Sequence, residues 1–162
     1  MATVQKITPN LWFDGVAEEA ANYYVSIFRN SKITTVSRYG KEGFEIHRQP
    51  EGTAMVIAFE LEGQQFLGLN GGPQFKFSEA ISFVVSCEDQ EEIDYLWGRL
   101  NEGGDPNAQQ CGWLKDKFGL SWQIIPSILP QLMTSPDKEK ASRTMNAMLQ
   151  MKKIDIEALK NA

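Results

Sequence analysis

Few side chains in this sequence are equipped for covalent chemistry, and their spacing limits what they can do. The chain holds two cysteines, Cys87 and Cys111, and one histidine, His47. A catalytic thiol needs a neighbouring base or cation that favours the thiolate. No histidine lies near either cysteine in sequence, and His47 falls in a polar stretch that reads as a loop. The cysteines form no CxxC pair, so neither a dithiol redox centre nor a structural zinc site is indicated. Two buried, reduced thiols are expected. Lys115-Asp116-Lys117 sets a carboxylate between two ammonium groups, the pattern of a structured turn rather than of an acid–base pair.

Charge narrows the function classes further. Lys and Arg number 16 against 21 Asp and Glu, for a net charge of -5. A nucleic-acid binder shows a basic stripe, and here the basic residues are scattered or sit beside acids, as in Asp137-Lys138-Glu139-Lys140. Nucleic acid and anionic membrane surfaces are therefore not expected partners. No segment approaches the ~20 apolar residues that cross a bilayer. Met1 to Lys6 has no apolar core of a secretory signal, so a cytoplasmic protein is expected. The 162 residues suit a single domain with a sizeable core.

The elements that must position any site follow from periodicity. Ile7 to Phe13 alternates as a strand, with Ile7, Pro9, Leu11 and Phe13 on one face and Thr8, Asn10 and Trp12 on the other. Ala17 to Arg29 carries Ala17, Ala20, Ala21, Tyr24, Ile27 and Phe28 at helical spacing. Ile33 to Tyr39 is a strand rich in β-branched residues, and Gly40 to Thr53 is a loop. Ala54 to Leu61 and Gln65 to Leu69 form a hairpin around Glu62-Gly63-Gln64. The order then repeats. Ile81 to Ser86 is a strand, and Asp89 with Glu92 forms a capping box for a helix whose buried face is Ile93, Leu96, Trp97 and Leu100. Gln110 to Lys115 and Ser121 to Ile125 are strands around Lys117-Phe118-Gly119-Leu120. Ser135-Pro136 opens a helix over Lys138 to Met151. Its stripe of Ala141, Met145, Met148 and Leu149 reads as core or subunit packing. Asp155 caps a short last helix with Ile156 and Leu159. The fold class is α+β.

Two strings carry a family resemblance. One is Phe13-Asp14-Gly15 with Ala17-Glu18-Glu19-Ala20-Ala21-Asn22-Tyr23-Tyr24. The other runs Cys111-Gly112-Trp113-Leu114-Lys115-Asp116-Lys117-Phe118-Gly119-Leu120-Ser121-Trp122-Gln123-Ile124-Ile125-Pro126. With Ile81-Ser82-Phe83-Val84-Val85 between them, the chain resembles the PhnB-like branch of the vicinal oxygen chelate superfamily. That superfamily includes glyoxalase I and bleomycin-resistance proteins, and many members of the branch carry the name 3-demethylubiquinone 3-methyltransferase. The resemblance implies one glyoxalase-like domain of paired βαβββ modules, about 5–72 and 78–128, with a helical extension over about 129–162. It also implies a homodimer, and a cavity in which the enzymes hold a divalent metal.

The ligand positions that the resemblance implies fall at Thr8 or Pro9, at Ala80 or Ser82, at Gln123 and on the strand of Gln65. A protein cage for a divalent ion wants three or four donors. Gln123 and Gln65, with His47 as a further candidate from its loop, are too few, so no metal cofactor is expected. Methyl transfer of the common type needs a strand, a glycine-rich turn and a helix to hold S-adenosylmethionine. Asn70-Gly71-Gly72-Pro73 is followed by no helical pattern. Pairing Asp116 with Ser121 puts Gly112, Leu114, Gln123 and Ile125 on one face. Asn10, Trp12, Ser82, Leu114 and Gln123 are then the expected lining of a cavity for a small organic molecule. The alternatives are a metal-dependent lyase, isomerase or dioxygenase of the same fold, the methyltransferase of the family's name, and a mainly structural role as a dimer with the cavity filled by Trp12.

Overall fold

The computed structural model describes residues 5–162, and Met1 to Val4 of the N-terminal segment read above lie outside the described residues. The chain forms two compact units, residues 1–76 and 77–162.

The first unit begins with β1 (Asn10–Phe13), α1 (Ala17–Ile27) and β2 (Lys32–Arg38). It continues through α2 (Phe44–His47) to β3 (Ala54–Leu61) and β4 (Gln64–Asn70). The sheet order is β1-β4-β3-β2, with β1 parallel to β4 and the other pairs antiparallel. This is a βαβββ module with one helical turn inserted. That turn, α2, lies inside the expected loop, held between left-handed residues at Gly43 (φ 75°) and Arg48 (φ 58°). β1 is shorter than the alternation predicted, and Ile7 is exposed rather than turned to the core. Leu11 and Phe13 are buried as expected.

Glu62 and Gly63 both have positive φ, and Leu61 pairs with Gln64. The hairpin is therefore a two-residue turn whose twist suits the strands, and β4 starts one residue earlier than expected. The helix packs Ala17, Ala20, Ala21, Tyr24 and Ile27 inward. Tyr24 stacks on Phe59 at 6.3 Å and Phe59 on Phe66 at 5.5 Å. Val16, at the N-cap, offers no side-chain acceptor. Asn70 supplies one from β4, its Oδ1 accepting the Ala17 N–H at 2.8 Å while its Nδ2 donates to the Ala54 carbonyl at 3.0 Å. Tyr39 donates its hydroxyl to the Asn70 carbonyl at 2.6 Å. One buried amide thus joins a helix start to the ends of two strands.

The second unit contains β5 (Ser82–Cys87), α3 (Gln90–Leu100), β6 (Trp113–Lys115) and β7 (Ser121–Pro126), then α4 (Leu129–Met133), α5 (Lys138–Leu149) and α6 (Ile156–Lys160). Its sheet has three strands in the order β5-β7-β6, parallel then antiparallel. The mixed α+β class holds, but this module has one strand fewer than the first. Where the second strand stands in the first unit, the chain makes a 3-10 turn over Pro106–Ala108. Gln110 is joined to Trp113 by two backbone bonds instead of extending β6. Cys111 (φ 50°) and Gly112 (φ 84°) are both left-handed and fold the chain back there. A Cβ on Gly112 would come within 2.8 Å of Ile125 and 3.0 Å of the Ile124 carbonyl, so glycine is required.

Asp89 caps α3 as read, while Glu92 bonds the N–H one residue before the cap rather than the cap's own. Asp89 accepts from the Glu92 N–H at 2.9 Å, and Glu92 reaches back to the Glu88 N–H at 2.7 Å. Asp155 caps α6 through the Ala158 N–H. For α5 the cap is Asp137, not Ser135. Its Oδ1 takes both the Glu139 and Lys140 N–H groups at 3.1 Å, whereas Ser135 accepts only the Asp137 N–H. The C-terminal segment is tied to the unit by backbone. Cys111 and Gly112 donate to the carbonyls of Met151 and Lys152, and the Gln90 side chain bridges Ile154 and Ile156. In α5 the buried residue is Thr144, while Met145 and Leu149 of the expected stripe are exposed.

The turn between β6 and β7 is built on Asp116. This buried carboxylate accepts from the Phe118 N–H (2.9 Å), the Leu120 N–H (3.1 Å) and the Trp122 indole N–H (2.9 Å). Replacing Asp116 by Ala should destabilise the protein by about 2–4 kcal/mol, because it strands three donors in a low-dielectric setting. Asn, which keeps one acceptor, should cost less than Ala in urea unfolding; equal costs would show that the oxygen acceptors do not matter.

Candidate functional site

Each sheet has a face packed under its helix and a face turned away. In the first unit Gly68 approaches Ala17 of α1, so its neighbours Leu67 and Leu69 lie on the other face. The register places Asn10 beside Leu67 and Trp12 beside Leu69, with Val56 next to Leu69. Trp12 is held firmly there. Its indole N–H donates to the Gly72 carbonyl at 2.8 Å, and Phe75 meets it edge-on at 4.9 Å. A Cβ on Gly71 would stand 2.3 Å from the indole ring, so this glycine exists to let the backbone pass under Trp12. Asn10 is exposed beside it.

In the second unit Lys115 pairs with Ser121, Leu114 with Trp122 and Trp113 with Gln123. This register is one residue from the expected one. A three-residue loop, Lys117-Phe118-Gly119, joins the strands, closed by Asp116 N–H to the Leu120 carbonyl and by Gly119 at φ 86°. A one-residue shift exchanges the faces of the whole strand. Leu114 is accordingly buried beside Trp122 in the core, and Trp113 takes the place beside Gln123. Ser82 and Gln123 do come together: the Gln123 Nε2 donates to the Ser82 Oγ at 2.9 Å. Val84, adjacent to Gln123, is 62% exposed on the same face. Trp113 was not among the expected lining residues. Its signal was the Gly119 turn, which by itself favours a three-residue loop.

The donor set does not suit a divalent metal. Among the described residues no three His, Cys, Asp or Glu side chains cluster in a way that could hold an ion. Both ring nitrogens of His47 are engaged within its loop. Nδ1 accepts from the Gln49 N–H at 2.9 Å, which leaves the proton on Nε2, 2.9 Å from the Glu42 carbonyl. Gln65 is exposed, its backbone paired with the Gln5 side chain at 3.1 Å. Gln123 and Ser82 spend polar atoms on each other. Nor do the residues suit S-adenosylmethionine, because Gly71 and Gly72 are committed to Trp12 and the next regular element is β5, not a helix. No helix among the described residues is long and apolar enough to cross a membrane.

The family model described as 3-demethylubiquinone-9 3-methyltransferase matches residues 5–125. The chain belongs to that family, in its PhnB-like branch. It is similar to the structure of a PhnB protein from Bacillus cereus that carries the same methyltransferase name. The two are 39% identical with a TM-score of 0.64, over 75% of this chain and 99% of that one. The fold is also that of protein PA1353 from Pseudomonas aeruginosa, at 18% identity and a TM-score of 0.58, over 76% of this chain and 98% of that one. A glyoxylase/bleomycin resistance protein/dioxygenase domain from Frankia sp. is similar at 13% identity and a TM-score of 0.48, over 77% and 93% of the two chains. No curated protein matches the chain. The three C-terminal helices lie beyond the family model.

Cys87 is buried, and desolvation, with Glu92 and Asp89 adding to it, pushes its thiol up to about 12. A raised folded pKa stabilises the fold fully below the unfolded value, near 9, and this contribution is lost as pH rises from there towards 12. Alkylation of native protein at pH 8 should therefore modify Cys111 alone, with Cys87 reacting after denaturation. Mass spectrometry of the modified peptides reads this directly, and fast native labelling of Cys87 would contradict its burial.

Proposed function

We propose that this protein binds a small organic molecule on the open face of the second unit's sheet, without a metal ion. The observation that carries the reading is the Gln123–Ser82 hydrogen bond. Two positions that the superfamily resemblance would give to metal ligands hold an amide and a hydroxyl bonded to each other. Around them stand the half-buried Trp113 and the exposed Val84, an apolar surface with a few polar groups. That is the composition of a small-molecule site rather than of an ion cage. In the first unit Asn10 and Trp12 offer a similar mixture, with Trp12 fixed by Gly71 and Gly72. Within the second unit the proposed ligand contacts are Ser82 and Gln123, with Trp113 in place of Leu114; Asn10 and Trp12 are proposed contacts on the first unit's own sheet.

The same reading includes a homodimer. Met145 and Leu149 of α5 are exposed. Apolar side chains four residues apart on one helix suit burial against a second copy.

Native mass spectrometry of untagged protein purified without chelator should show a dimer with no stoichiometric metal, and Gln123→Ala should leave metal content unchanged. A thermal-shift screen of small metabolites should then find compounds that raise Tm at concentrations above their Kd. One divalent ion per chain, lost in Gln123→Ala, would replace this reading with a metal-dependent enzyme. A monomer at micromolar concentration would remove the dimer.

A further inference from the structure

The strand register of the second unit lines up Ser82, Ser121 and Lys115 in one row across β5, β7 and β6. The next row holds Val84, Gln123 and Trp113. Ser121 is 1% exposed, and its Oγ is the buried side-chain polar atom that finds no hydrogen-bond partner among the described residues. A buried hydroxyl left unpaired keeps its full desolvation penalty, so a partner is expected at this point. Ser82 accepts from Gln123 and keeps its own O–H to donate. The Lys115 ammonium, on a side chain 26% exposed, pairs with the carboxylate of Glu79, whose side chain is 61% exposed just ahead of β5. The Lys115 hydrogen bond holds the Glu79 carboxyl below its usual range.

We propose that this row is the seat of a ligand carboxylate, which displaces Glu79 from Lys115 and takes hydrogen bonds from the hydroxyls of Ser121 and Ser82. This rests on the small-molecule reading and names the ligand class: an acid with a flat or branched apolar body. Lys115 supplies the charge, and a charge-assisted bond is the stronger kind. The unpaired Ser121 hydroxyl gains the acceptor it lacks. Trp113 and Val84, in the adjoining row, give the apolar body a surface beside the charged end. Glu79 acts as an exchangeable placeholder, because an ion pair with so exposed a partner is screened by solvent and readily replaced.

The test is calorimetric titration of the full chain with benzoate, phenylacetate and 3-phenylpropionate, each beside its neutral primary amide. At least one acid should bind, and its amide should not. Lys115→Met should weaken that acid at least about tenfold. Glu79→Gln, which removes the competing carboxylate, should tighten it by about threefold to fivefold. Ser121→Ala should weaken it about fivefold and yet raise the Tm of the unliganded protein, because it removes an unpaired buried hydroxyl. A hydroxyl with a merely structural role would lower Tm instead. Acids and amides binding alike, or Glu79→Gln leaving affinity unchanged, would overturn the carboxylate seat. If neutral metabolites bind in the wider screen while none of the acids does, the seat fails and the small-molecule reading stands. If nothing binds in either experiment, both fail.

Discussion

The Asp116 carboxylate governs the geometry of the second unit. It is buried, and a buried charge is tolerable only when its acceptor sites are satisfied. Two turn N–H groups and the Trp122 indole satisfy it. Those bonds fold residues 117–119 into a tight loop and pull Trp122 to the core side of β7. Everything on the opposite face follows from the resulting register. Lys115 stands beside Ser121 and Trp113 beside Gln123 because Asp116 is held in the turn and not in the ladder.

Asn70 does the corresponding work in the first unit with a neutral amide. It caps α1 from the end of β4 and ties down the start of β3. The glycines that follow it let Trp12 lie flat against the backbone. Each unit thus fixes its open face through a buried polar side chain at a strand end, where backbone groups would otherwise lack partners. The units differ in how they finish. The second has three strands, and the segment entering β6 and the start of α3 are anchored through Cys111, Gly112 and Gln90 to a C-terminal segment outside the span of the family model.

The family's name and the chemistry of these residues point in different directions. A methyltransferase or a metal enzyme needs a cofactor cradle, and Gly71, Gly72, His47, Ser82 and Gln123 are each committed to a local bond that such a cradle would require them to give up. What the open faces offer is hydrogen bonding and apolar surface. A fold hosts many functions, and the site decides among them.

Periodicity in the sequence determined the helices α1 and α3, the strand β3 and the caps at Asp89 and Asp155, since these depend on near neighbours along the chain. The two strings around Ala17 and Trp122 were enough to indicate the family. Other features escaped because they depend on contacts between distant residues or on one dihedral angle. The cap of α5 moved from Ser135 to Asp137, where one carboxylate reaches two N–H groups. The strand expected from Gln110 broke at Cys111-Gly112, whose left-handed backbone folds back against the C-terminal segment. Leu114 and Trp113 exchanged faces because the loop holds three residues instead of four. Alternation tells which residues share a face within one strand. Only the tertiary structure, through the hydrogen bonds that Asp116 collects, decided which of those faces meets the next strand.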